Sequence, residues 1–187
     1  MTADNSANGP PDGPPGQRLA GREVFRGRKI RVAVDRVRLP NGEVMEIERI
    51  HHPGAVAIVP VIGGEVLLVR QYRYATGGWL LEVPAGTLED GESPETCAAR
   101  ELEEETGYRP GTLRPLGWIW TTPGFTDEKI WLYLATGLVA AQQRLEDDEL
   151  LTVERLPVAE AIERAARGGI CDGKSVSALL RAAPLLL

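Results

Sequence analysis

Residues 86–108, GTLEDGESPETCAARELEEETGY, constrain the fold of this 187-residue chain more than any other stretch. Ser93-Pro94 reads as a helix start, with Ser as N-cap and Pro at the first helical position, where its missing N–H costs nothing. Gly107 is the matching stop. The spacing predicts one helix from about Pro94 to Thr106, with Ala98, Ala99 and Leu102 as its apolar stripe. The stretch holds seven glutamates. Glu101 and Glu105 are four apart and Glu101 and Glu104 three apart, so these carboxylates share a helix face. Like charges at that spacing destabilise a helix by roughly a few tenths of a kcal/mol per pair. Arg100 relieves part of this, and a hard dication would relieve more, because Mg²⁺ and Mn²⁺ take carboxylate oxygens. Gly86, Asp90 and Gly91 allow a tight path into the helix. That path can bring a backbone carbonyl, such as that of Ala85, beside the helix carboxylates.

Strand-like runs surround this helix. KIRVAVDRVRL and VMEIERI alternate in polarity on either side of Asn41-Gly42, a hairpin signal. GAVAIVPVI and EVLLVRQYRY flank Gly63-Gly64 as a second hairpin; the first of these runs is apolar throughout, as in a strand buried on both faces. WLLEV leads into the helix region, and LRPLGWIW, KIWLYLATGL and LLTVERL follow it. LEDDE is an acidic loop. VAEAIERAARG and GKSVSALLRAAPLLL read as two closing helices, the second disturbed at Pro184. The order of strands, one central helix, strands and two helices implies an α+β fold with a mixed sheet flanked by helices. Residues 1–18 are rich in Pro, Gly, Asn and Asp and read as a disordered tail. Residues 19–52 form an N-terminal β-region and 53–187 the main domain.

Composition narrows the function classes. A formal net charge of −6 argues against non-specific nucleic-acid binding, and a phosphate-bearing substrate would need a bound cation to offset the repulsion. Two cysteines, Cys97 and Cys171, provide no disulfide framework and fit a reducing compartment. The polar N-terminal run has no apolar core of a signal peptide, and no stretch approaches the length of a membrane span. The chain is therefore expected to be cytoplasmic, with no membrane or nucleic-acid partner.

The spacing of the central stretch carries the chemistry. It fits G-x5-E-x7-R-E-U-x-E-E-x-G-U, with U bulky and apolar, at Gly86, Glu92, Arg100, Glu101, Leu102, Glu104, Glu105, Gly107 and Tyr108. Seven of these are fixed identities; at ~7% usage each, chance agreement is on the order of 10⁻⁸ per window. The stretch resembles the Nudix hydrolase box, and the strand–loop–helix order around it resembles the Nudix α/β/α sandwich. Tyr108 is aromatic where the last position is often aliphatic.

That resemblance implies metal-dependent hydrolysis of a nucleoside diphosphate linked to another group, with Mg²⁺, or Mn²⁺, as cofactor. It implies Glu101, Glu105 and the Ala85 carbonyl as metal ligands, Glu104 as a further ligand or outer-shell group, Arg100 as the residue that orients a glutamate, and Glu92 as support for the loop–helix geometry. Glu89, Glu95 and Glu103 read as surface residues.

Pro123, fifteen residues beyond Tyr108 in TTPGFTDE, resembles the ADP-ribose pyrophosphatase branch, as do VRQYRY and LLEVPAG. The branch implies ADP-ribose, or a related nucleotide sugar, as substrate, and an acidic loop that supplies a glutamate to position or deprotonate water. Glu149, directly before Leu150-Leu151, is the best match, with Asp148 and Glu146 as alternatives. Relatives in the branch are commonly homodimers, in which the N-terminal sheet completes the partner's pocket. From the residues alone, Arg70 and Arg73 suit phosphate recognition or a surface role. They can serve one pocket only if the strand ends or twists near Arg73, because Arg70 and Tyr72 share the other face. Glu82 is a candidate acceptor for an adenine amine or a ribose hydroxyl. Trp79, Trp118, Trp120 and Trp131 are expected mainly in the core, with base stacking as the other role. His51 and His52 have no metal-ligand spacing and read as structural.

Overall fold

The computed structural model describes residues 16–145 and 149–187. The chain divides into two compact units, one built from the residues up to Pro53 with Thr122–Glu128, the other from Gly54–Thr121 with Lys129–Leu187.

The first unit is a three-stranded antiparallel sheet in the order β1 (Gln17–Arg26), β2 (Arg31–Arg38), β3 (Val44–His51). The β2–β3 hairpin turns at Asn41-Gly42, where Gly42 has φ +91° and the Leu39 N–H donates to the Glu43 carbonyl at 2.8 Å. Strand β1 is not legible in the sequence, and Gln17 and Arg18 belong to it rather than to a tail. Every residue of β1 is exposed, so no alternation marks it. Its hold is the ladder with β2 and the Arg18–Asp35 ion pair at 2.8 Å. Thr122–Glu128 joins this unit through β3: the Ile50 N–H donates to the Phe125 carbonyl at 2.8 Å and the Asp127 N–H to the Ile50 carbonyl at 3.1 Å. The Asp127 carboxylate takes Arg49, the His52 N–H and His51 Nδ1, each at 2.8 Å. The two histidines therefore fasten a segment to a strand. Pro123 lies exposed in the turn of that segment.

The second unit comprises β4 (Ala55–Ile62), β5 (Glu65–Arg73), β6 (Gly78–Glu82), β7 (Ala85–Thr87), α1 (Pro94–Thr106), β8 (Tyr108–Arg109), β9 (Thr112–Trp120), β10 (Lys129–Thr136), β11 (Val139–Ala140), β12 (Leu151–Pro157), α2 (Val158–Arg167) and α3 (Gly173–Leu186). Its main sheet runs β12-β5-β4-β10-β9, with β6 paired to β5 and β7 to β4. The β4–β10 pair is parallel and its other pairs are antiparallel, so the sheet is mixed. Successive side chains of a strand face opposite ways, and β4 is apolar on both faces because both are covered. Ala55, Ala57 and Val59 pack with Ala161, Ala165, Ala178, Leu179 and Ala182 of α2 and α3. Val56 and Ile58 pack with Cys97, Ala98 and Leu102 of α1. This is the α/β/α sandwich, with α1 alone on one face. Full burial of each Val, Ile or Leu contributes about 1.5–3 kcal/mol, and both layers use such residues.

Helix α3 runs through Pro184 to Leu186. The proline sits in the last turn, where it removes a single intrahelical donor rather than breaking a long ladder. The tryptophans do not form the core. Trp79 and Trp120 are 47% and 46% exposed, and Trp118 and Trp131 are half-buried. Trp118, Trp120 and Trp131 gather on one face of β9–β10, with Lys129 Nζ 4.2 Å from the Trp118 ring centre and 4.8 Å from that of Trp131.

Candidate active site

The site is built where β7 hands the chain to α1. The Ser93 hydroxyl accepts the Thr96 N–H at 3.1 Å and caps the helix, and Gly107 ends it at φ +74°. Gly86 lies beneath Glu101, and a Cβ there would sit 1.8 Å from the Glu101 carboxyl carbon. Only glycine leaves that carboxylate room.

Arg100 organises the glutamates around it. Its Nε and Nη2 reach the two Glu92 oxygens at 2.9 and 2.8 Å. Its Nη1 reaches Glu101 at 2.8 Å and Glu104 at 3.0 Å, and Nη2 also donates to the Thr87 carbonyl at 3.3 Å. Glu92 accepts the Glu89 N–H at 3.1 Å, which closes the loop. The Arg100 fork holds the Glu92 carboxyl down to about 2, against the opposing effect of burial.

Glu101, Glu105 and Glu149 each offer a carboxylate oxygen, and the three lie within 4.8 Å of one another. Glu101 is 7% exposed and Glu105 1%. Burial pushes the Glu101 carboxyl up to about 7, against Arg100, with Glu104 and Glu149 adding like charge. Glu105 is raised well above the ordinary range by burial first and Glu101 next, although the Ala85 N–H donates to it at 3.1 Å. Acids this close and this dry cannot all ionise without a cation between them. An all-oxygen set of carboxylates selects a hard dication, so the residues present fit a metal ion. Glu104 is outside this cluster and turns to Arg100.

The arginines of β5 separate. The strand stays regular to Arg73, which pairs with Gly78, so Arg70 and Arg73 occupy opposite faces and do not share a pocket wall. Arg70 grips Glu154 of β12, with Nη2 at 3.1 Å from Oε2. Arg73 grips Glu82 through two bonds of 2.9 and 2.7 Å. The Glu82 side chain is 1% exposed and also binds Lys174, so it faces these cations rather than open space. Lys174 joins Asp172 at 3.0 Å, and the Ser175 hydroxyl accepts the Val83 N–H at 2.8 Å. The start of α3 is thereby tied to the end of β6. Arg73 also attracts Glu105 through space. Among the described residues, Gln71 Oε1, on the Arg73 face, is a buried side-chain acceptor without a partner.

Lys174, Asp172 and Ser175 are not legible in the sequence as site residues; Asp172 is visible there only as a polar residue before a helix. Glu103 is not a surface residue: it is 9% exposed and bound by Arg109 at 2.9 Å and Arg144 at 3.4 Å. Glu89 and Glu95 are exposed. Asp148 and Glu146 lie outside the described residues, whereas Glu149 is described and half-buried.

The NUDIX domain family model matches residues 51–178. The chain belongs to the Nudix family. This Nudix protein is 40% identical over 160 residues to a methanol dehydrogenase activator of Bacillus methanolicus, covering 84% of this chain and 86% of that one. It is 37% identical over 164 residues to an ADP-ribose pyrophosphatase of Bacillus subtilis, covering 86% and 89%. The solved structure of an ADP compounds hydrolase superposes with a TM-score of 0.82 at 25% identity, covering 95% of this chain and 97% of the other. The box glutamates of this Nudix chain are thus set on the fold the family uses. No helix among the described residues is long and apolar enough to cross a membrane.

Proposed function

We propose that this enzyme hydrolyses the pyrophosphate bond of ADP-ribose to AMP and ribose 5-phosphate. The observation that carries the reading is the convergence of Glu101, Glu105 and Glu149 in a chain 37% identical to an ADP-ribose pyrophosphatase. Glu101 and Glu105 would hold Mg²⁺, or Mn²⁺, with the Ala85 carbonyl as a further ligand, while Glu104, turned to Arg100, would act through that arginine rather than on the ion. Such an ion supplies positive charge against the pyrophosphate and its developing negative charge. The Ala85 assignment has support from the ladder. In an antiparallel pair a residue exchanges both backbone groups or neither. Ala85 sends its N–H to Glu105 rather than to β4, so its carbonyl leaves by the same edge.

Glu149 accepts the proton of the attacking water as its oxygen bonds to phosphorus. The bridging P–O bond breaks, and the second phosphate departs with its electron pair. Arg100 keeps Glu101 aimed through its Nη1 and is itself held by Glu92. Arg73, anchored by Glu82, is our candidate phosphate contact; Glu82 acts through it. Pro123 is assigned to substrate on the family resemblance; Arg70, held by Glu154 on the opposite face of β5, is not part of the contact made by Arg73. The β1–β3 sheet exposes Leu19, Val24, Phe25, Val44 and Met45, and we take it as a homodimer surface. Free thiols at Cys97 and Cys171 fit a cytoplasmic enzyme.

The test is a panel of ADP-ribose, other nucleoside-diphosphate sugars, nucleoside triphosphates and coenzyme A, assayed with Mg²⁺. ADP-ribose should show the highest kcat/KM, with AMP as product. Fast turnover of another compound without turnover of ADP-ribose would refute the assignment.

A further inference from the structure

An α-helix leaves its last four carbonyls without partners of its own. At the end of α1 these carbonyls are met by the chain that leads to Glu149. The Glu104 carbonyl accepts the Arg144 N–H at 2.9 Å, and the Gly107 carbonyl accepts the Ala141 N–H at 2.7 Å. The Glu105 carbonyl accepts the side-chain amide of Gln143 at 2.6 Å. The approach depends on Gly107, where a Cβ would lie 3.2 Å from the Gln143 nitrogen and 3.5 Å from its Cβ. Residues 141–144 are therefore fastened to the same helix end that bears Glu104 and Glu105. Beyond Glu149 the chain is pinned again: the Leu150 carbonyl accepts the Tyr72 N–H at 3.0 Å, and Arg155 donates to the Tyr108 hydroxyl at 2.8 Å. Tyr108, the aromatic departure in the box, thus has a partner on β12.

We propose that Gln143 is a positioning residue for catalysis: its side chain caps the Glu105 carbonyl and so sets Glu149 against Glu101 and Glu105. This rests on Glu149 being the base. Gln143 is singled out because its bond is made by a replaceable side chain. The Arg144 bond to Glu104 is main-chain and survives substitution, and the Arg144 side chain reaches Glu103 only at 3.4 Å. Displacing a catalytic group by about 1 Å can cost on the order of 10²-fold in rate, so a partial loosening is expected to cost about tenfold.

The experiment compares Gln143→Met, Glu149→Gln and the double variant in ADP-ribose hydrolysis by the full chain with Mg²⁺. Gln143→Met should lower kcat about tenfold while KM and half-saturating Mg²⁺ stay within about twofold. It should add nothing in the Glu149→Gln background, because both changes act through one group. Gln143→Lys, which restores a donor of similar reach, should recover most of kcat. In the metal-free protein, hydrogen exchange at the Arg144 amide should speed up in Gln143→Met. If Gln143→Met does not fold, Gln143→Asn, whose amide is one methylene short, takes its place with the same expectations. Full kcat in Gln143→Met beside a Glu149→Gln enzyme about 10²-fold down overturns this inference and leaves the base assignment standing. Losses that multiply in the double variant also overturn it. Full activity in Glu149→Gln overturns the base assignment itself.

Discussion

Removing one charge from the carboxylate cluster is expected to stabilise the metal-free protein while destroying its activity. Glu101 is 7% exposed, and its carboxyl is pushed from an ordinary 4.5 to about 7 by burial and by its acidic neighbours. The folded state therefore prefers the protonated form. The contribution is fully present below about 4.5 and is lost as pH rises through about 7. At about 1.4 kcal/mol per pH unit, the 2.5-unit difference amounts to about 3 kcal/mol at pH 8. That is an upper bound for one substitution, because Glu105 titrates in the same cluster. Glu101→Gln keeps an oxygen for Arg100 and cannot ionise. In EDTA the variant should come within about 1 kcal/mol of wild type at pH 5 and exceed it at pH 8 by up to about 3 kcal/mol. For a chain of this size that is about 6–12 °C in Tm. Saturating Mg²⁺ should raise wild type at pH 8 and leave the variant nearly unchanged, and the variant should not turn over substrate. Scanning calorimetry at the two pH values, with and without metal, measures all of this. A gap equal at both pH values, or a variant less stable at pH 8, would show that the cluster carries no like-charge strain.

Three further expectations follow from the same geometry. Gly86→Ala places a Cβ on the Glu101 carboxylate and should lower kcat by on the order of 10²-fold; a Mn²⁺ titration should show weakened binding. Arg100→Lys loses the fork on Glu92 and should cost about 1–3 kcal/mol in urea denaturation. The Glu92 carboxyl, now about 2, should move up toward its ordinary range, as read by NMR titration. Lys174→Met leaves buried Glu82 with Arg73 alone and should lower the stability read from urea denaturation by about 1–3 kcal/mol; an unchanged stability would mean that the Lys174–Glu82 pair is idle.

Features set by near neighbours are legible in the sequence. Ser93, Pro94 and Gly107 bound a helix that runs Pro94–Thr106, because caps and stops act within a turn. The three-and-four spacing of Glu101, Glu104 and Glu105 puts them on one face for the same reason. β4 reads as doubly buried because burial on both faces leaves no alternation to interrupt. β1 leaves no such trace because it buries nothing, and its register is supplied by β2. Glu103 reads wrongly as a surface residue because the side chains that cover it, Arg109 and Arg144, lie beyond the helix.

What the sequence determined by itself was the box: seven spaced identities that specify a helix, a tight loop and a set of carboxylates aimed one way. Local backbone geometry is short-range, so spacing suffices to predict it. What only the tertiary structure decided was which acids and cations meet. It separated Arg70 from Arg73, turned Glu82 toward Arg73 and Lys174, moved Glu104 to Arg100, and brought Glu149 to Glu101 and Glu105 from 44 residues beyond Glu105. Charge partners in a buried site are chosen by desolvation and packing across strands far apart in the chain, and no spacing rule encodes that choice.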